Sequence, residues 1–182
     1  KCAFPISAAD FKRLLIASIR APNLVVVFAA LMLLGKKGDV PEGAYSIEFG
    51  KADVKREGTD VTVVAIGSTV PQALEVADQL AETGVSVEVI DPRTLVPFDW
   101  DAVAKSVSKT GRLVAVDPNR ETCGAASEII TQAVERCWSQ LKAQPQRVTW
   151  PNVPMPYSPP LEKAVVSDLD DIRRAIELTL KS

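Results

Sequence analysis

The sequence predicts an α/β fold, a three-layer α/β/α arrangement built on a mostly parallel sheet. From residue 60 onward, runs of β-branched residues alternate with stretches whose apolar residues recur at helical spacing. The chain has 182 residues, of which 47% are hydrophobic, and this is enough for one well-buried core. Its 21 basic and 23 acidic residues give a net charge of −2, so we exclude an electrostatic nucleic-acid or membrane binder.

A first βαβ unit is predicted at residues 60–90. The sequence DVTVVAI at 60–66 is typical of a buried strand, and GST at 67–69 of a tight turn. Pro71 follows where the first turn of a helix tolerates proline, and Gly84 is a natural helix end before the next strand, which begins at 85. The unit implies two parallel strands joined by a right-handed helical crossover.

The alternation continues to the end of the chain. We predict, in order, a short helix with Val103 and Val107, a strand at 112–116, a loop at 117–122, a helix from about Gly124 to Lys142 and a strand at 148–150. Residues 151–160 hold too many prolines for a helix, so we expect an extended surface arm. A last helix follows the capping pair Ser167 and Asp170.

The first 59 residues have a different organisation. They predict a helix at 8–19, a buried strand around 25–28 and a polar loop at 35–43. One helix and one strand cannot close a core, so this stretch resembles the tail of another domain. We therefore divide the chain into a tail at 1–45, a linker at 46–59 and a main domain at 60–182. The apolar run at 24–34 is too short to cross a bilayer, and we expect a cytoplasmic protein, or one of the mitochondrial matrix or a plastid if the source is eukaryotic.

The absence of histidine restricts the possible chemistry. It excludes Ser-His-Asp and Cys-His nucleophile systems and His-ligated zinc within this chain. Cys2, Cys123 and Cys137 are odd in number and fit a reducing compartment. Cys123 at a helix start is a weak candidate for an activated thiol, because no histidine can serve as its base.

Carboxylates follow several predicted strands, where open α/β sheets bind ligands. They are Asp91, Asp99, Asp117, Glu121 and Glu128. Helix caps and solvated loops explain them equally well, and no pair has a spacing that demands acid–base chemistry. Residues 67–71 could form a phosphate cradle at a helix N-terminus, but they lack the glycine pattern and the lysine of known phosphate loops. From the residues alone, we predict an α/β domain with no catalytic constellation.

Four segments resemble one protein family. They are IEFGKADVKREG at 47–58, VEVIDPRTLVPFD at 87–99, KTGRL at 109–113 and PMPYSPPLE at 154–162. Together they resemble the beta subunit of thiamine-diphosphate-dependent 2-oxo acid dehydrogenases, the pyruvate, branched-chain 2-oxo acid and acetoin enzymes. The resemblance runs in order over essentially the whole chain.

The resemblance implies that 60–182 is a transketolase-type C-terminal domain and 1–45 the end of a pyrimidine-binding domain. The family's cofactor-activating glutamate and active-site histidine would lie before the part that matches this chain. Implied partners are the alpha subunit, a second beta subunit in a homodimer and the lipoyl-bearing acyltransferase core. Implied cofactors are thiamine diphosphate and magnesium in an intact enzyme, and we expect neither to bind this chain alone. We also expect no nucleic-acid or membrane partner.

The resemblance further implies a potassium site through backbone oxygens of Ser18, Ile19, Ala21 and Asn23. The chain departs from the family where it has Ala29, Ala30, Leu34 and Pro118. We therefore expect an assembly role and an inactive isolated chain, which self-associates through its apolar 24–34 run. The alternative is a free-standing α/β module that binds a small ligand at residues 67–69 and 117–122.

Overall fold

The computed structural model describes residues 1–181, so Ser182, the end of the predicted main domain, lies outside the described residues. The strands are β1 (Cys2–Ala3), β2 (Val26–Val27), β3 (Asp53–Arg56), β4 (Val61–Ala65), β5 (Val87–Asp91), β6 (Thr94–Val96), β7 (Leu113–Arg120) and β8 (Gln146–Trp150). The helices are α1 (Ala8–Arg20), α2 (Thr69–Ala81), α3 (Trp100–Thr110), α4 (Ala125–Cys137), α5 (Pro159–Val165) and α6 (Leu169–Leu180).

Five strands form the main sheet in the order β3-β5-β4-β7-β8. Strand β4 lies at its centre, with Val63 opposite Val89 of β5 and Val114 of β7, and all three strands run parallel. Strand β8 is also parallel, whereas β3 is antiparallel to β5. A continuous apolar run suits a parallel strand that is covered on both faces.

Helices cover both faces of this sheet. Because side chains alternate along a strand, Val63 packs with α2 and α6 on one face, while Val64 packs with α3 and α4 on the other. Val63, Val64 and Ile172 of α6 are all fully buried. The predicted three-layer α/β/α fold is therefore confirmed.

The first part of the chain forms a small second sheet in the order β2-β1-β6, with α1 packed beside it. Phe4 joins this part to the main domain, because its N–H donates to the carbonyl of Arg93 at 2.8 Å. Its ring also stacks on Phe28, with the ring centroids 4.7 Å apart. Strand β2 is shorter than predicted and only partly covered, and Val26 is 44% exposed.

Three strands lie where none was predicted. Strand β1 precedes the helix predicted at 8–19. Strand β3 falls within the predicted linker at 46–59, and β6 lies in the connection at 91–99. Neither β3 nor β6 has a clean alternation of apolar and polar residues. Each is an edge strand, and its position depends on pairing with a distant segment. Strand β7 continues through Pro118 to Arg120, so the predicted loop at 117–122 begins later than expected.

The helix ends also differ from the predictions. The helix predicted to reach Lys142 ends at Cys137 and is followed by a short 3-10 turn. The proline arm ends in a short helix, α5. Prolines occupy its first two positions, where a backbone N–H would have no partner within the helix, so the N–H that proline lacks is not missed. Asp168, not Ser167, caps α6 in a reciprocal pair with Asp171, and Ser167 donates instead to the carbonyl of Thr149.

Among the described residues, no helix is long and apolar enough to cross a membrane.

Candidate functional site

A cleft of about 320 Å³ opens at the carboxyl edge of the main sheet. Ser68 and Thr69 line it after β4, Pro118 in β7 and Trp150 at the end of β8. Met32, in the 3-10 turn Leu31–Leu33, contributes from the first part of the chain. This is the edge where open α/β sheets bind ligands.

The turn at 67–69 is closed by its own hydrogen bonds. Thr69 Oγ1 accepts from the backbone N–H of Ile66 at 3.1 Å and also contacts the Ile66 carbonyl at 2.9 Å. The backbone N–H groups of Thr69 and Val70 donate to the carbonyls of Ile66 and Gly67. Two of the groups that an anion would need are therefore engaged, and the residues form a strand-to-helix turn.

Asp117 is turned away from the cleft and holds the start of α4. Its Oδ2 accepts from the backbone N–H of Ala126 at 3.1 Å. Burial raises the pKa of Asp117, and the backbone N–H groups of Ala126 and Ala125 offset part of this effect. Gly124 is required here, because a Cβ would lie 2.5 Å from the carbonyl oxygen of Arg120.

Of the other candidate carboxylates, two have hydrogen-bond partners and the third lies at the start of a helix. Asp99 caps α3 through Ala102 and accepts from the N–H of Ala52 at 3.0 Å. Glu121 accepts from the side-chain amide of Asn152, and Glu128 lies in the first turn of α4. Cys123 is exposed and has a φ of 60°, and the described residues place no ionic partner beside it.

Asp91 is the exception among these carboxylates. It is fully buried at the end of β5, and its Oδ1 accepts from the N–H of Arg93 at 2.9 Å. Its Oδ2 is buried and accepts no hydrogen bond from any group in the described chain. Burial raises the pKa of Asp91 to about 7, and the nearby positive charges of Lys55 and Arg93 only partly oppose this shift.

The surroundings of Asp91 form a charged cluster that joins three parts of the fold. We name it the aspartate cluster, and its members are Asp10 of α1, Asp53 and Lys55 of β3, Asp91 of β5 and Arg93 of the following turn. Three carboxylates thus share two cations. Arg93 also has a φ of 55°, a conformation that non-glycine residues adopt only when their surroundings hold them there.

Asp10 is buried in the same cluster but behaves differently. Burial alone would raise its pKa, but a hydrogen bond from Ser7 and the charges of Lys55 and Arg93 outweigh it, so the pKa of Asp10 is lowered. Sequence reasoning missed Asp10, Asp53, Lys55 and Arg93. The one available signal was Asp91, which directly follows the predicted strand and precedes Pro-Arg. This pattern indicates a charged cluster only once β3 and α1 are known to lie beside it.

The proposed potassium ligands lie at the end of α1. The carbonyl of Ser18 accepts from the N–H of Ala21 at 3.2 Å, and Ile19 is 77% exposed. The terminal ammonium of Lys1 donates to the nearby carbonyl of Leu24 at 2.8 Å. No group of three or more Cys, Asp or Glu residues suited to a metal ion occurs within residues 1–181.

Comparisons with known proteins give concordant matches. The family model described as "Transketolase, C-terminal domain" matches residues 50–172. The chain is 41% identical, over all of its length and 54% of the relative, to the beta subunit of acetoin:2,6-dichlorophenolindophenol oxidoreductase of Cupriavidus necator. It is also 41% identical to the pyruvate dehydrogenase E1 component subunit beta of Bacillus subtilis, over 87% of this chain and 49% of that protein. The chain thus spans about half the length of the curated relatives it matches.

A solved structure supports the same fold. The protein described as "Split gene transketolase, inactive beta4 tetramer" superposes with a TM-score of 0.77 over 99% of this chain and 57% of that chain. The two sequences are 22% identical, so this likeness concerns the fold alone.

Proposed function

The chain belongs to the transketolase C-terminal domain family, and from this premise we propose that it is the assembly portion of a 2-oxo acid dehydrogenase beta subunit. The observation that carries the proposal is the 41% identity to an acetoin oxidoreductase beta subunit along the whole chain. In this proposal, residues 60–181 supply contacts to an alpha subunit and to a second beta subunit. The enzyme as a whole would decarboxylate a 2-oxo acid oxidatively and transfer the acyl group to a lipoyl-bearing core.

The residues of the described chain do not fit thiamine diphosphate and magnesium. Asp99 and Asp117 accept hydrogen bonds from the first turns of α3 and α4, and Asp91 lies in the aspartate cluster. The cofactor supplies the carbon–carbon bond chemistry in enzymes of this kind. We therefore assign no reaction step to this chain and propose a positioning role for it.

The exposed apolar residues of the first part support this role. Leu24 is 83% exposed, Leu31 84% and Met32 76%. Strand β2 lies at the edge of its three-stranded sheet, so its outer backbone groups are available for pairing. An apolar surface beside an open sheet edge fits a segment that completes its core against other protein, as the end of a pyrimidine-binding domain would.

A chimera tests the assembly role. In the Cupriavidus necator acetoin oxidoreductase beta subunit, this chain would replace the half that it matches. The chimera would be coexpressed with that enzyme's alpha subunit. We expect a stable complex and acetoin-dependent reduction of dichlorophenolindophenol. A matched control carries the C-terminal domain of a transketolase instead. A chimera that folds but does not associate with the alpha subunit would refute the proposal.

Cofactor binding by the chain alone is a separate test. We expect no saturable heat of binding when thiamine diphosphate and magnesium are titrated into it, because the family's cofactor-activating glutamate would lie before the part that matches this chain. Saturation at micromolar cofactor would contradict this expectation. Parallel titrations with nucleotides and small anions test the alternative, a ligand-binding module at the carboxyl-edge cleft.

We also propose the potassium site at Ser18, Ile19, Ala21 and Asn23. Carbonyls at the end of a helix carry partial negative charge, and Ser18 and Ile19 lie in the last turn of α1. We expect a higher melting temperature in potassium chloride than in sodium chloride at the same concentration. Equal melting temperatures would refute the potassium site.

For the compartment, we propose a reducing one such as the cytoplasm, because Cys2, Cys123 and Cys137 are all free thiols.

A further inference from the structure

The aspartate cluster lies at the contact between α1 and the main sheet. Lys55 Nζ lies 3.3 Å from Asp10 Oδ2 and 3.8 Å from Asp91 Oδ2. Arg93 Nη2 lies 3.4 Å from Asp10 Oδ1 and 2.6 Å from Asp53 Oδ2. The two cations therefore tie α1 to β3 and to the turn after β5, so this cluster is one of the links that hold the first part of the chain on the main domain.

The charges of this link do not balance when every carboxylate is ionised. Three negative groups face two positive groups, and each cation lies closer to Asp10 or Asp53 than to Asp91 Oδ2 in the contacts described. Asp91 Oδ2 is thus the buried oxygen without a hydrogen bond. Burying a charged oxygen that has no hydrogen bond and only the 3.8 Å contact with Lys55 Nζ is costly, and a proton on Asp91 removes that charge.

We propose that Asp91 carries a proton while α1 is docked, and that the cluster makes docking of α1 on the main domain sensitive to pH around neutrality. The groups that face Asp91 are Asp10 from α1, Asp53 and Lys55 from β3, and Arg93 from the adjoining turn. When α1 moves away, Asp91 gains water and loses the negative charge of Asp10. The docked state therefore binds the proton more tightly than the undocked state.

The sign of the effect follows from this difference. The docked pKa of Asp91 is about 7, above the ordinary value for aspartate, so docking is strongest at acid pH and weakens as the pH rises toward 7. Above pH 7 both states carry the ionised group, and the dependence levels off. Asp10 has a lowered pKa, so its opposite contribution falls at more acid pH and does not mask the effect.

Hydrogen exchange of α1 tests the proposal in the whole chain. Protection of the α1 amides, corrected for intrinsic exchange, would be measured from pH 5.5 to 8.5 relative to amides of β4. We expect relative protection to fall over this range and to level off above pH 7; the fall is at most about 30-fold, which is the limit for an undocked pKa near 4. The amides of β4 report global stability, so a general loss of folding is recognised separately.

Variants separate a titrating group from a structural one. Asp91→Asn is expected to flatten the pH profile, while the exposed control Asp101→Asn leaves it unchanged. Asp10→Asn is expected to shift the levelling-off point to lower pH, because it removes a nearby negative charge. Lys55→Met is expected to shift it to higher pH. A flat wild-type profile, or a steep profile that persists in Asp91→Asn, would overturn the proposal. The test does not depend on the proposed function.

Discussion

The two parts of this chain use apolar residues in opposite ways. In the main domain, every residue of β4 is fully buried, and helices cover both faces of the sheet. In the first part, the run at 24–34 has the same composition, yet Leu31 is 84% exposed. Apolar content alone therefore does not make a core. A core needs facing layers, which the main domain has and residues 1–45 obtain only by docking on it.

Removal of a core side chain should show the contrast most strongly. Ile172→Ala empties space between α6 and the sheet, and we expect it to lower the free energy of unfolding by about 2–5 kcal/mol. Leu31→Ala is the matched control and should change it by less than about 0.5 kcal/mol. Urea denaturation followed by tryptophan fluorescence measures both variants. Equal losses would mean that the run at 24–34 is packed as tightly as the main domain.

The ion pair between Glu88 and Lys109 makes the stability of the main domain depend on pH. Glu88 is buried in β5, and it accepts from Lys109 and from the N–H of Gly58. Burial alone would raise its pKa, but these hydrogen bonds outweigh it and lower the pKa below the usual 4.5. Its pairing thus stabilises the fold above about pH 4.5 and is lost as the pH falls.

We expect Glu88→Gln to cost about 1–2 kcal/mol at neutral pH and to reduce the loss of stability on acidification. Glu57→Gln is a matched control, because Glu57 contacts the same Lys109 but its side chain is 80% exposed. Denaturation midpoints between pH 3.5 and 7 provide the measurement. A Glu88→Gln profile parallel to that of the wild type would show that the pair does not titrate as described.

Packing within the first part should be weaker than packing in the core of the main domain. Phe28→Ala removes the ring that stacks on Phe4, and we expect it to cost about 1 kcal/mol or less. The expected result is faster proteolysis within residues 1–49, with an intact fragment of the main domain remaining. Tyr157→Ala, whose side chain is fully exposed, should leave the cleavage rate unchanged. If Phe28→Ala instead speeds cleavage everywhere, the two parts unfold as one unit.

The smallest effect on stability is expected at the exposed apolar run. The double variant Leu31→Ser, Met32→Ser should change the unfolding free energy by less than about 0.5 kcal/mol. It should, however, reduce self-association of the wild-type chain in sedimentation velocity, because it removes exposed apolar area. Leu161→Ser, at another exposed site, serves as the control. A wild-type chain that sediments as a single monomer would refute the expected association.

Local patterns determined most of the main domain. The β-branched run at 60–66 and the helical spacing that follows it predicted β4 and α2, because both signals lie within one short segment. The resemblance of 87–99 and 154–162 to one family likewise depended on the sequence alone. The cap of α6 was missed by one residue, because Ser167 and Asp168 can both cap a helix and only the pairing with Asp171 decides between them.

Tertiary structure alone decided the edges of the sheet and the aspartate cluster. Strands β3 and β6 exist because they pair with segments distant in sequence, which no local pattern encodes. Asp10 and Asp91 are 81 positions apart in the numbering and meet only when α1 docks on the sheet. The sequence by itself therefore determined the layers and the family. Burial and charge pairing, which depend on distant neighbours, decided that the pKa of Asp91 is raised while that of Asp10 is lowered.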